Sequence, residues 1–121
     1  FAKRIDVLVA MNKPSLEKFS GLVRRPGGVI VVNSSVVHDI PEYENVTVIA
    51  VPMMEITLKH DNERGSNIVA VGAAVGASGV MSREMMIEGI KTYFAKYGKA
   101  NEKNIAVFNE GYDFARKELN K

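Results

Sequence analysis

The residues of this 121-residue chain that most readily invite catalysis are Ser15-Leu16-Glu17-Lys18 and the two histidines, His38 and His60. A lysine three positions after a serine on a helix can activate the hydroxyl, as in the S-x-x-K acyl-enzymes. The companion S-D-N and K-T-G patterns are absent, so the run reads better as a capped, solvated first turn. Asp39 and Asp61 follow the two histidines, but a metal site needs further convergent ligands that the sequence does not place. Both histidines read as surface loop residues. The absence of cysteine excludes disulfides, thiol nucleophiles, Cys-ligated zinc and iron–sulfur ligation, and it fits a reducing cytoplasm.

Sixteen basic residues against fourteen acidic ones, with no long run of either sign, give no push toward nucleic acid or anionic membranes. The opening Phe1-Ala2-Lys3-Arg4 precedes an apolar run that is short and broken by Asp6, which is unlike a signal peptide. Residues 65–82 carry no charge, yet they include four glycines, Ser66, Asn67, Ser78 and Ser82, and read as a buried segment rather than a membrane span. Within that stretch Gly72-x-x-x-Gly76-x-x-Gly79 matches neither the P-loop nor G-x-G-x-x-G. Its small side chains suit close approach to a neighbouring backbone or subunit, against a helix penalty of roughly 1 kcal/mol per interior glycine. Asn45-Val46-Thr47 is formally a glycosylation acceptor but runs into a strand pattern.

A composition 46% apolar and 25% charged fits one domain spanning residues 1–121. Ile5 to Met11 is nearly continuous apolar sequence, as in a strand covered on both faces. Asn12 and Pro14 then open a helix with Leu16, Phe19, Leu22 and Val23 inward, stopped at Pro26-Gly27-Gly28. Val29 to Val32 and Val46 to Val51 predict second and third strands with no clear helix between them, and a helix starts at Met53. Ser82 caps a helix with the stripe Met86, Ile90, Tyr93, Phe94 and Tyr97, ending at Gly98. A last helix from about Asn101 turns Ile105, Phe108, Tyr112, Ala115 and Leu119 inward.

The pattern predicts an α/β fold, three-layer α/β/α with a mostly parallel sheet. Three strands are few for such a sheet, which predicts that further amino-terminal strands precede Phe1. Ligands of open parallel sheets gather beyond the carboxyl ends of the strands. That edge holds Asn12, Lys13 and Ser15, then Asn33, Ser34 and Ser35, then Met53 and Glu55. The helix start at Pro14 and the charge of Lys13 suit a phosphate or carboxylate, while for Asn12, Asn33 and Ser34 taken singly capping of helices and turns is the favoured reading.

The runs Asp6-Val7-Leu8-Val9-Ala10-Met11-Asn12-Lys13-Pro14-Ser15 and Pro26-Gly27-Gly28-Val29-Ile30-Val31-Val32-Asn33-Ser34-Ser35 resemble the gamma subunit of 2-oxoacid:ferredoxin oxidoreductases. Similar landmarks continue in order through Val51-Pro52, Glu55-Ile56, Ser66-Asn67-Ile68-Val69, Gly76-Ala77-Ser78-Gly79 and Asn109-x-Gly111-Tyr112-x-Phe114-Ala115. The resemblance implies part of a multisubunit enzyme that oxidatively decarboxylates a 2-oxoacid onto coenzyme A and reduces ferredoxin. It implies that thiamine diphosphate, Mg2+ and iron–sulfur clusters belong to partner alpha, beta and possibly delta subunits, and that the gamma part serves subunit contacts and coenzyme A. The family's glycine-rich amino-terminal strand-turn-helix is missing here. Asn33-Ser34-Ser35 looks more like the 2-oxoglutarate or branched-chain type than the pyruvate type, with 2-oxoglutarate favoured. A free-standing coenzyme A or nucleotide-binding module and a purely structural oligomerisation domain are the competing expectations.

Overall fold

The computed structural model describes residues 4–79, 81–95 and 99–121, and the expected stripe end at Tyr97 and Gly98 lies outside them. The chain forms β1 (Val7–Ala10), α1 (Lys13–Phe19), a 3-10 turn (Ser20–Leu22), β2 (Gly28–Asn33), β3 (Val46–Val51), α2 (Met53–Lys59), α3 (Ser66–Ser78), α4 (Arg83–Tyr93) and α5 (Lys99–Leu119). The strands lie in the order β1-β2-β3, all parallel, with Val7 beside Val29 and Gly28 beside Val46. No helix among the described residues is long and apolar enough to cross a membrane.

Both faces of the sheet are covered, which makes the expected three layers. Val29, Val31, Ile49 and Val51 on one face pack with Met53 and Ile56 of α2, Val69 and Ala73 of α3, and Val107 and Ala115 of α5. Leu8, Ala10, Ile30 and Val32 on the other pack with Leu16 of α1, Val23 and Val37. Alternation of side chains along each strand explains the division. Only β2 is buried at every residue; β1 alternates between half-buried and buried positions, because it is an edge strand rather than one covered fully on both faces. Its expected span from Ile5 shortens, and Ile5 instead makes an isolated bridge to Val23.

Three other expectations are corrected. The first helix ends at Phe19, since the chain tightens into the 3-10 turn before Val23 enters the core. Tyr93 of α4 is 75% exposed and Leu119 of α5 also faces solvent, so neither stripe is buried along its length. For α4 the reason is that it touches the rest of the molecule mainly through α5. Gly79 is not a packing residue either; it ends α3 in the left-handed conformation at φ 69°, with open space where a Cβ would stand.

The other small residues of α3 do pack, against α5 of the same chain. A Cβ added to Gly72 would stand 2.2 Å from the Phe108 carbonyl oxygen, and one at Gly76 2.6 Å from that of Tyr112. The contact is reciprocal, because a Cβ at Gly111 would meet the Val69 carbonyl oxygen at 2.3 Å. Two helices therefore cross backbone against backbone, and the glycine face of α3 is closed to a partner subunit. Carbonyl oxygens cannot swing away as a flexible side chain can. Gly72→Ala and Gly111→Ala are each expected to lower stability by about 3 kcal/mol through overpacking, measured as a fall in the urea midpoint with an unchanged slope.

Candidate functional site

Parallel pairing brings the carboxyl ends of the three strands to one edge. There Asn12 caps α1, its Oδ1 accepting from the Ser15 amide at 2.9 Å. Lys13 crosses to the segment after β2, where its Nζ donates to the Asp39 carbonyl and lies 3.7 Å from the Asp39 carboxylate. Asn33 is buried, and its Oδ1 accepts from the Ser35 amide at 3.1 Å while its carbonyl accepts from the Val37 amide at 2.9 Å. The Ser34 amide donates to Val51 at 2.9 Å, and the Ser35 Oγ accepts from the Met54 amide at 3.0 Å.

The expected edge thus assembles, but its residues divide by role. Asn12 and Asn33 spend their side-chain acceptors on the amides that open α1 and the turn after β2, as the capping alternative required, while the third cap, on α2, comes from Ser35 rather than Ser34. Lys13 brings a positive charge to the edge, and the Ser15 and Ser34 amides are engaged by Asn12 and Val51. Met53 leaves the candidate set because its side chain is fully buried in the core. Glu55 stays exposed in the first turn of α2, where a carboxylate favours the helix dipole.

A second polar cluster escaped the sequence. His60 closes α2 and is half-buried rather than a free loop histidine, with its Nε2 2.7 Å from Oε1 of Glu110 on α5. Lys59 Nζ reaches the same oxygen at 3.1 Å. Asp61, the sequence neighbour of His60, pairs instead with Lys103 at 3.1 Å. Lys59, His60 and Glu110 border an open groove of about 460 Å³ between α2 and α5, which Asp113, Phe114 and Lys117 also line. The fifty residues separating His60 from Glu110 hid the pair. A histidine at the end of a short helix was the available signal, since helix carboxyl ends favour cations.

Burial pushes the Glu110 carboxyl up, yet the hydrogen bonds and charges of His60 and Lys59 outweigh it and hold the group below the ordinary glutamate value. A carboxylate with a depressed folded pKa stabilises the fold above its unfolded value and loses that contribution as pH falls through the folded one.

Among the described residues, no group of three or more His, Asp or Glu side chains could hold a metal ion. With no cysteine in the sequence, these residues offer no thiolate ligand for an iron–sulfur cluster.

A family model described as pyruvate ferredoxin/flavodoxin oxidoreductase matches residues 2–114. The chain belongs to that family. It is 35% identical over 116 residues to the ketoisovalerate oxidoreductase subunit VorA of Methanothermobacter marburgensis, covering 94% of this chain and 24% of the relative. It is 28% identical to the 2-oxoglutarate synthase subunit KorC of Methanocaldococcus jannaschii, covering 92% of this chain and 59% of that one. The chain therefore spans about a quarter of the first relative and under two thirds of the second.

Among solved structures, the gamma subunit of a keto/oxoacid ferredoxin oxidoreductase from Geobacter sulfurreducens matches with TM-score 0.74 and 29% identity, over 91% of this chain and 63% of that one. The 2-oxoglutarate:ferredoxin oxidoreductase from Magnetococcus marinus, solved with 2-oxoglutarate, coenzyme A and succinyl-CoA, matches in fold with TM-score 0.80 at 24% identity, over 96% of this chain and 20% of that one. The gamma-subunit resemblance and the α/β architecture read from the sequence agree with these findings.

Glu110→Gln is expected to flatten the loss of stability on acidification below about pH 4.3, the ordinary glutamate value. Urea midpoints of native and variant chains measured from pH 6 to pH 3 check it: the gap should narrow as the pH falls.

Proposed function

We propose that this chain is the gamma part of a cytoplasmic 2-oxoacid:ferredoxin oxidoreductase that oxidatively decarboxylates its substrate to an acyl-CoA. The observation that carries the reading is the family match across residues 2–114, supported by relatives named for 2-oxoacid oxidation. The 121 residues act as one domain without redox chemistry of their own. Thiamine diphosphate, Mg2+ and the clusters that pass electrons to ferredoxin sit in alpha, beta or delta partner chains; for the clusters, the lack of cysteine in this chain supports that division.

The strand-end edge takes part in handling coenzyme A. Lys13 is the anchoring cation for phosphate, with the Ser15 and Ser34 hydroxyls as neutral donors. Asn12, Asn33 and Ser35 act as positioning residues, because their caps hold the three segments at the edge. The Magnetococcus enzyme, whose structure holds coenzyme A and succinyl-CoA, supports the choice of ligand. For the substrate acid we favour 2-oxoglutarate over branched-chain acids and pyruvate, on the Asn33-Ser34-Ser35 sequence; the relatives include both 2-oxoglutarate and ketoisovalerate types.

Turnover with a 2-oxoacid, coenzyme A and a viologen acceptor is expected only when partner chains are present, and fastest with 2-oxoglutarate. Substantial turnover by the isolated chain would overturn the division of labour. In the assembled enzyme, Lys13→Glu is expected to raise the KM for coenzyme A about tenfold, the loss of one charge-assisted contact. Its KM for the oxoacid should stay unchanged. Calorimetry separates the competing reading: tight coenzyme A binding by the isolated chain, lost in Lys13→Glu, would make it a free-standing module.

A further inference from the structure

The Lys13–Asp39 pair at the strand-end edge joins unequal partners. The Lys13 side chain is 31% exposed, whereas that of Asp39 is 98% exposed. The lysine is thus the seated member and the acid the loose one. Its ammonium is held twice, by the Asp39 backbone carbonyl and by the carboxylate 3.7 Å away. The backbone that brings Asp39 there is anchored on both sides. Val37 is buried and its amide donates to the Asn33 carbonyl at 2.9 Å, while Ile40 packs against the same cluster as Leu16 of α1. The place of the Asp39 carbonyl therefore does not depend on the Asp39 carboxylate.

We propose that Asp39 is a built-in competing anion, whose carboxylate occupies Lys13 until a phosphate of coenzyme A replaces it. This rests on the reading of Lys13 as the phosphate anchor. The effect has a definite sign. The carbonyl contact already positions the ammonium and survives loss of the acid's charge, so what the carboxylate adds is competition. Leaving costs the acid little, because its side chain is already solvated.

Such a competitor also confers selectivity. A singly charged carboxylate or chloride that took the place of Asp39 would exchange one charge for one and gain nothing. The phosphates of coenzyme A bring several charges and acceptor oxygens, so they gain where a simple anion does not. The pair sets Lys13 to answer phosphate over monovalent anions.

Asp39→Asn keeps the backbone carbonyl and removes the charge. In the assembled enzyme it is expected to lower the KM for coenzyme A about threefold, the scale of one exposed ion pair. Acetate, added at constant ionic strength, should become a stronger competitor of coenzyme A by about the same factor. In a Lys13→Met background the same substitution should change neither value. Glu42→Gln removes an equal charge from the same exposed connection, outside the pair, and should leave the KM for coenzyme A as it is. A KM unchanged or raised in Asp39→Asn, an equal fall in Glu42→Gln, or a fall that persists in the Lys13→Met background would each overturn the proposal, even where Lys13→Glu raises the KM as expected above. If Lys13→Glu leaves that KM untouched, the coenzyme A reading itself falls and this one with it.

Discussion

The backbone crossing of α3 and α5 is the constraint on which the rest of the molecule depends. Gly72 and Gly76 admit the carbonyls of Phe108 and Tyr112, and Gly111 admits that of Val69. Because the two helices meet without intervening side chains, α5 can reach the sheet beside α3 and add Val107 and Ala115 to the same core layer. The crossing also fixes where Glu110 stands, next to Gly111, and so brings it to His60 and Lys59 at the end of α2. Asp113 and Tyr112 follow on the same turn, where Arg83 anchors α4 by an ion pair and by stacking 3.9 Å from the Tyr112 ring centroid.

The carboxyl-end edge of the sheet is organised by side-chain caps. Asn12, Asn33 and Ser35 each satisfy an amide where the chain leaves a strand or enters a helix. Their positions are therefore tied to the strand register, and Lys13 is held by Asp39 across the same edge. An exposed ion pair of this kind contributes about 0–1 kcal/mol, so the lysine can exchange Asp39 for a phosphate at small cost. Segments held by caps beside one exchangeable cation suit the carrier-handling role proposed above.

Much of this was legible from residue types. The continuous apolar runs around Val9, Ile30 and Val48 marked the strands, and Asn12 followed by Pro14 marked the start of α1. The small residues of 69–79 announced close approach, although not to which backbone; the matching glycine sat forty residues away, at Gly111, inside the sequence landmark Asn109-x-Gly111-Tyr112. What stayed hidden depended on distant pairing. Nothing local to His60 names Glu110, and the exposure of Tyr93 follows from how little of α4 is covered, which periodicity alone does not reveal. Met53 looked available at a strand end, yet its side chain turns into the core because α2 folds back over the sheet.

On the proposed division of labour, the chain should never be found working alone. Affinity purification of the tagged native chain from its own cells, followed by native mass spectrometry and visible absorption, addresses that directly. A stoichiometric assembly containing a thiamine-diphosphate-binding chain and a cluster-binding chain, with the broad visible absorption confined to that assembly, is the predicted result. Recovery of the chain free of both, in cells that carry out the oxidation, would contradict it.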